Sequence, residues 1–160
     1  MTHSTDPSAG KSRRWGIRSD SPGAGSLSQK FALVAGLAYL VGGVIGFLFT
    51  GLNDTTEFTG ESLFGIFHLT PMHNVVHVGV GALWLIAALT LTNVACEGVN
   101  FAIAGVYVLA AILGYLGYLE MLGIHAGLDA DNFLHAVTGV VTLLFAGLIP
   151  SRDPVGAGVR

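Results

Sequence analysis

Two histidines hold equivalent places in a pattern that the chain carries twice, 58 residues apart. The first copy consists of Gly65, Asn74, His77 and Gly81, and the second of Gly123, Asn132, His135 and Gly139. The same alignment gives 7 identities in the 24 positions from Gly65 to Ala88. Because Asn and His are uncommon inside apolar segments, the pattern predicts an internal duplication with a polar centre.

The chemistry of the repeated Asn-x-x-His pair has three interpretations. In the first, the side chains hydrogen-bond across helices and lock a bundle. In the second, His77 and His135 bind haem or a divalent metal ion between them, while Asn74 and Asn132 orient the two imidazole rings. His73, one helical turn before His77, adds a metal ligand to that pair. In the third, the same residues handle protons or another ion.

Helices must position these residues, because the repeated positions fall on one helical face. Positions 74, 77, 81, 85 and 88 are spaced by three, four, four and three residues, and the second copy has the same spacing. If each half is a helical hairpin inserted with the same orientation, a pseudo-twofold axis along the membrane normal relates the halves. His77 and His135 then lie at equal depth and face each other near that axis.

The composition predicts a membrane protein. Hydrophobic residues make up 52% of the chain and charged residues 11%, with a mean hydropathy of +0.68, whereas a soluble domain carries about 25% charged residues. Four apolar stretches predict transmembrane helices at residues 31–52, 72–94, 99–122 and 131–149.

The predicted fold is an all-α, polytopic membrane protein with four transmembrane helices arranged as two tandem helical hairpins. This transmembrane domain covers residues 30–150. It lies between a disordered cytoplasmic tail, residues 1–29, and a short cytoplasmic tail, residues 151–160.

The basic residues predict the orientation. All seven Lys and Arg residues lie before the first predicted helix or after the fourth, so both termini are expected in the cytoplasm and the protein in the plasma membrane. The outer connections contain six acidic residues together with His68 and His125. These two histidines are candidates for an outer metal cluster or for ordinary interfacial residues.

Small residues predict where helices approach closely. Gly42 and Gly46 in the first helix form a small-xxx-small pair, and Gly81 and Gly139 leave room beside the paired histidines. In lipid, such glycines allow backbones to pack against each other, which replaces the hydrophobic drive of soluble proteins.

The sequence also indicates where the second and fourth helices begin. Thr70 followed by Pro71 predicts the start of the second helix, because threonine caps a helix and proline is tolerated in its first turn. Asp131 with Asn132, or Asp129 slightly earlier, plays the same part for the fourth helix.

No catalytic signature accompanies these features, so the chain is predicted not to be an enzyme. The expected role is that of a structural or partner-binding membrane component. The first alternative is a haem- or metal-binding protein that uses His77 and His135, and the second is a small oligomeric transporter or channel. Expected partners are the lipid bilayer, other membrane proteins or a second copy of the chain, and not nucleic acid.

The segments Leu63–Ile66 and Pro71–His77, together with the glycine-rich first helix, resemble a bacterial family of small four-helix membrane proteins known as domain of unknown function 4383. The resemblance covers about Lys30 to Ile149 and leaves out both tails. It implies a multi-pass protein of the bacterial plasma membrane, and it transfers neither an activity nor a catalytic residue.

Overall fold

The structure, a computed structural model, describes Ile17 and residues 25–52 and 62–149. Its four long helices are α1 Leu27–Thr50, α2 Pro71–Thr90, α3 Asn93–Tyr115 and α4 Ala130–Leu143. A π-helical turn, Leu144–Leu148, extends α4, and with it all four helices are long and apolar enough to cross a membrane. The prediction of an all-α, polytopic protein is confirmed. The two predicted tails lie largely outside the described residues.

The first helix begins earlier than predicted because a capping box fixes its start. The Ser26 side chain accepts a hydrogen bond from the Gln29 backbone N–H (3.1 Å), and the Gln29 side chain accepts one from the Ser26 N–H (3.0 Å). This reciprocal pair satisfies backbone donors that a helix start otherwise leaves free. As a result α1 starts at Leu27, inside the predicted tail.

The helices pack most extensively as two pairs, α1 with α2 and α3 with α4. Gly46 packs against α2, but Gly42 has open space, with no atom within 4 Å of an added Cβ. Gly42 therefore packs against no helix of the described part of this chain, and its packing role stays a prediction. Gly36, Gly43 and Gly46 share the face that meets α2, whereas Gly42 is turned away from Gly43 by about 100° of helical rotation.

The α1–α2 and α3–α4 connections lie at the end of the bundle where α2 and α4 begin; we call it the outer end. Here β1 Ser62–Leu63 pairs with β2 Phe67–His68 in an antiparallel hairpin. A 3₁₀ turn, Glu120–Leu122, leads from α3 to Gly123, which has a φ of 82°. A Cβ at Gly123 would lie 2.6 Å from the His68 carbonyl oxygen, so the hairpin and the α3–α4 connection are in direct contact.

Helix α3 ends before the predicted boundary at residue 122. The last helical residue is Tyr115, and Gly117 takes a positive φ of 83°. That left-handed conformation is typical of glycine and ends a helix. The residues that follow therefore form an extra turn at the outer end, which lengthens the connection that carries His125.

The inner end, opposite to the outer end, is held by one buried amide. Asn100 of α3 accepts a hydrogen bond from Trp84 Nε1 of α2 (3.1 Å). Its Nδ2 group donates to the carbonyl of Ser28 in α1 (3.3 Å) and to that of Phe145 in the π-helical turn (3.1 Å). A single side chain thus links all four helices, and hydrogen bonds of this kind stabilise bundles in lipid.

Large apolar side chains cover the outside of the bundle. Examples are Val34, Leu48, Val106 and Phe133, which are all exposed. A water-soluble bundle would bury such residues, whereas in a membrane they contact lipid. Buried polar side chains therefore lie between the helices and at the ends of the bundle.

Candidate metal centre

Three histidine rings meet inside the bundle near its outer end. His73 and His77 come from α2, and His135 comes from α4. The Nε2 atoms of His73 and His77 are 3.0 Å apart, and the ligand nitrogens of all three rings lie within 4.8 Å of one another. His73 and His135 are only 2% and 5% exposed. The two repeated histidines thus lie together, and His73 joins them.

The first turn of α2 fixes the position of His73. The Thr70 hydroxyl accepts a hydrogen bond from the His73 backbone N–H (3.2 Å), as the sequence predicts for a cap. The same hydroxyl donates to the Met121 carbonyl (3.2 Å). Pro71 adds a fixed backbone angle at the helix start. These contacts tie the helix that carries two of the histidines to the connection that precedes α4.

Aromatic rings pack against the inner side of the histidine cluster. Ring centroids are 4.7 Å apart for Tyr39 and His77, and 5.4 Å apart for Tyr107 and His135. The Tyr39 hydroxyl is also hydrogen-bonded to the Thr138 hydroxyl (3.0 Å), which connects α1 to α4. The imidazoles are therefore held by packing from both hairpins.

Three buried polar atoms of the cluster and of the first turn of α4 have no hydrogen-bond partner among the described residues. They are Nδ1 of His73, Nδ1 of His135 and Oδ2 of Asp131. Asp131 precedes His135 by one turn on α4, just as His73 precedes His77 on α2, so each pair shares a helical face. Buried polar atoms are normally paired, and unpaired ones beside three imidazoles are typical of a site for a ligand.

The two repeated asparagines do not orient the histidine rings, contrary to the prediction. Asn74 Nδ2 donates to the Thr50 hydroxyl of α1 (2.9 Å). Asn132 Nδ2 donates to the carbonyls of His125 (2.8 Å) and Gly127 (2.9 Å). Residues three apart on a helix point about 60° away from each other. Each amide therefore faces its own hairpin, while the histidine faces the bundle interior.

The space beside the three rings is small. The cavity that His73, His77 and His135 line with Leu122 and Tyr107 has a volume of about 50 Å³. Pockets that bind drug-sized molecules have volumes of about 300–1,000 Å³, so this space suits an ion with a water molecule and not a haem macrocycle. Three imidazoles leave a fourth position open on a tetrahedral transition-metal ion.

A second group of possible ligands lies closer to the outer surface. It contains His68, His125 and Asp129, whose ligand atoms are also within 4.8 Å of one another. The sequence identified the two histidines as candidates for an outer cluster. It placed Asp129 among the six acidic residues of the outer side and at a helix start, without pairing it with these histidines. The missing signal is tertiary, because nothing in the local pattern brings residue 68 beside residues 125 and 129.

The family described as "Domain of unknown function (DUF4383)" matches residues 29–148. No curated protein and no solved structure matches the chain.

Proposed function

The chain belongs to the DUF4383 family, and on that premise we propose that it is a membrane protein that binds one divalent transition-metal ion inside its helical bundle. The ligands are His73, His77 and His135. The observation that carries this proposal is the convergence of three largely buried imidazoles from two different hairpins. Imidazole nitrogen is a common ligand for zinc, copper, iron and nickel ions.

The geometry favours a metal site over a purely structural role for these histidines. Asn74 and Asn100 supply structural hydrogen bonds across helices, and Asn132 holds the connection before α4. The imidazoles contribute less, since Nδ1 of His135 has no partner among the described residues. Residues selected only to lock the bundle would leave no ring nitrogen of this kind unbonded.

The distances suit coordination. Ligand nitrogens on a tetrahedral zinc ion, at about 2.0–2.1 Å from the metal, are about 3.3 Å apart. The Nε2 atoms of His73 and His77 share a hydrogen bond in the metal-free protein, and their separation of 3.0 Å is close to that value. The carboxyl group of Asp131, buried one turn from His135, provides negative charge near the site when a bound cation favours its ionised form. No Lys or Arg occurs between residues 31 and 151 to oppose a bound cation.

Metal titration of the purified protein tests the proposal. Detergent-solubilised protein, stripped with a chelator, is titrated with Co²⁺, whose visible absorption reports low-symmetry coordination by nitrogen ligands. We expect His77→Gln and His135→Gln each to remove one bound ion per chain, or to weaken its binding by more than about 100-fold, because each loses a direct ligand. The visible bands that belong to this ion should disappear with it.

The control is His3→Gln, which removes a histidine outside the described residues and should bind like the wild type. Circular dichroism verifies that every variant keeps its helical content. Unchanged Co²⁺ binding in a folded His77→Gln/His135→Gln double variant would contradict the proposal. If that variant also lost stability, the result would favour the interpretation of the histidines as a structural lock.

The other predicted functions are proposals as well. A role as a structural or partner-binding component is compatible with a bound ion that stabilises the fold. An absence of enzymatic activity and an oligomeric transporter each stay predictions, and no contact in the described residues favours the transporter. A haem is disfavoured as the ligand by the small cavity beside the histidines.

We also propose that both termini face the cytoplasm and that the outer end faces the opposite side of the plasma membrane. The distribution of the seven basic residues, all of which flank the four spans, supports this orientation. The internal duplication is likewise proposed. The glycine contacts of the two hairpins have equal spacing, which supports this duplication.

A further inference from the structure

His68, His125 and Asp129 form a compact group at the outer end, built from two separate connections. His125 Nδ1 lies 3.3 Å from Asp129 Oδ2, and His68 Nδ1 lies 3.9 Å from the same oxygen. The two imidazole centroids are 4.6 Å apart, with the rings nearly perpendicular. All three ligand atoms therefore surround one small volume.

The carboxylate of this group is held in place before any ligand binds. Asp129 caps α4, with Oδ1 accepting a hydrogen bond from the Asp131 backbone N–H (2.9 Å). This bond occupies one carboxylate oxygen and leaves Oδ2 directed at the two imidazoles. The Asp129 side chain is only 8% exposed, so it keeps little of the hydration that competes with a ligand.

The backbone around the two histidines is also fixed. The Asn132 amide donates to the carbonyls of His125 and Gly127, which holds the loop that carries His125. On the other side, Gly123 packs directly against the His68 carbonyl oxygen. A ligand set of this kind is pre-organised, because the supporting contacts do not involve the ligand atoms themselves.

The group is accessible from outside, unlike the buried cluster. The side chains of His68 and His125 are 34% and 55% exposed. Two imidazole nitrogens and one carboxylate oxygen make a ligand set that divalent first-row transition ions accept, with the remaining positions taken by water. We propose that His68, His125 and Asp129 form a second, water-accessible site for a divalent transition-metal ion at the outer end.

This second site goes beyond the buried three-histidine site and does not depend on it. The test counts Zn²⁺ ions bound to chelator-stripped protein in detergent, for the wild type and for two sets of variants. The outer set is His125→Ala and Asp129→Asn, since asparagine preserves the helix cap while it removes the charge. The inner set is His77→Gln and His135→Gln. His3→Gln is the control for non-specific binding.

We expect two ions per wild-type chain, one after either outer substitution and one after either inner substitution. The ion lost in His125→Ala should be the more weakly bound and the faster to dissociate to an added chelator, because its site is open to water. Binding of a single ion that only the inner substitutions remove would overturn the outer site and leave the buried site standing.

The opposite result, a single ion that only the outer substitutions remove, would support the outer site and contradict the buried one. Equal binding by the wild type, His125→Ala and Asp129→Asn also overturns this proposal. Because His125 is exposed, loss of the ion in a His125→Ala variant that retains its helical content cannot be attributed to unfolding.

Discussion

The first hairpin, α1 with α2, and the second hairpin, α3 with α4, make the same backbone contacts at the repeated glycines. A Cβ added to Gly81 would lie 2.5 Å from the Leu40 backbone nitrogen, and one added to Gly139 would lie 3.0 Å from the Val108 backbone nitrogen. In both hairpins the second helix thus approaches the first at a glycine four residues after the repeated histidine.

The same register continues toward the outer end. Six residues after Leu40, Gly46 faces the Asn74 side-chain amide, and six residues after Val108, Gly114 faces that of Asn132. Each amide takes the space that a glycine leaves. The two hairpins therefore share a frame of glycine contacts that positions an asparagine and a histidine on adjacent faces of the second helix.

The hairpins differ in the residue that stands one turn before the repeated histidine. In the first hairpin it is His73, whose Nε2 contacts His77, and in the second it is Asp131, which has an unbonded buried oxygen. The shared positions form similar glycine contacts, whereas the differing positions change the polar groups at the proposed buried site. The first hairpin contributes two imidazoles to that site, and the second contributes one imidazole with a carboxyl group one turn away.

The largest expected difference concerns the two glycine contacts. Gly81→Ala should lower the free energy of unfolding by about 3 kcal/mol, because its Cβ meets the α1 backbone, which cannot move aside. Gly139→Ala should lower it by about 1 to 2 kcal/mol, since the closest atom, at 2.8 Å, belongs to the Val108 side chain. Unfolding in mixed detergent micelles, followed by circular dichroism, measures both values.

Each hairpin offers a matched control for this comparison. Gly79 in α2 and Gly105 in α3 have no atom within 4 Å of an added Cβ. Their alanine variants should be as stable as the wild type or more stable by up to about 1 kcal/mol, from helix propensity alone. Equal losses for Gly79→Ala and Gly81→Ala would show that the glycine contact is not what holds the first hairpin.

Much of this frame could be predicted from the sequence, because it depends on helical periodicity. The stripe through Asn74, His77 and Gly81 follows from spacing alone, and so does the approach of His73 to His77. The closeness of His77 to His135 required one further assumption, equal orientation of the halves. Local chemistry likewise predicted the start of α2 at Thr70.

What could not be predicted depends on rotation and on turns. Choosing Gly43 over Gly42 as the packed residue requires the rotation of α1 about its axis, which the uniformly apolar α1 sequence does not define. The outer site depends on the positive φ of Gly123 and on its contact with the β-hairpin. The capping box at Ser26 and Gln29 was visible as a Ser-x-x-Gln pattern, and it gives the correct start of α1.

The two repeated asparagines should differ when each is removed. Asn132→Ala loses two hydrogen bonds and should lower the free energy of unfolding by about 1 to 2 kcal/mol, whereas Asn74→Ala loses one and should cost about 0.6 to 1 kcal/mol. Only Asn132→Ala should also weaken Zn²⁺ binding at the outer site, because it frees the His125 loop. Similar Zn²⁺ affinities in both variants would show that Asn132 does not support the outer site.

The difference between His73 and Asp131 can be tested at the carboxylate. Asp131→Asn should weaken Co²⁺ binding at the buried cluster by about 10-fold, because it removes a carboxyl group, one helical turn from His135, whose charged form a bound cation favours. The metal-free protein should become more stable, since a buried acidic group with an unbonded oxygen is replaced by a neutral amide. Unchanged affinity together with unchanged stability would mean that Asp131 contributes to neither.

The smallest expected effect concerns position 142, where the second hairpin has a buried threonine in place of Trp84 of the first. The Thr142 hydroxyl has no hydrogen-bond partner among the described residues. Thr142→Val replaces that hydroxyl by a methyl group of similar size, so the free energy of unfolding should rise by about 0.5 to 1 kcal/mol.

Thr138→Val is the matched control one turn earlier on α4. It should lower the free energy of unfolding by about 0.5 to 1 kcal/mol, because it breaks the hydrogen bond to Tyr39. Opposite signs for these two substitutions would identify Thr138 as the hydroxyl that joins the hairpins, whereas a loss in both would indicate that Thr142 also has a partner.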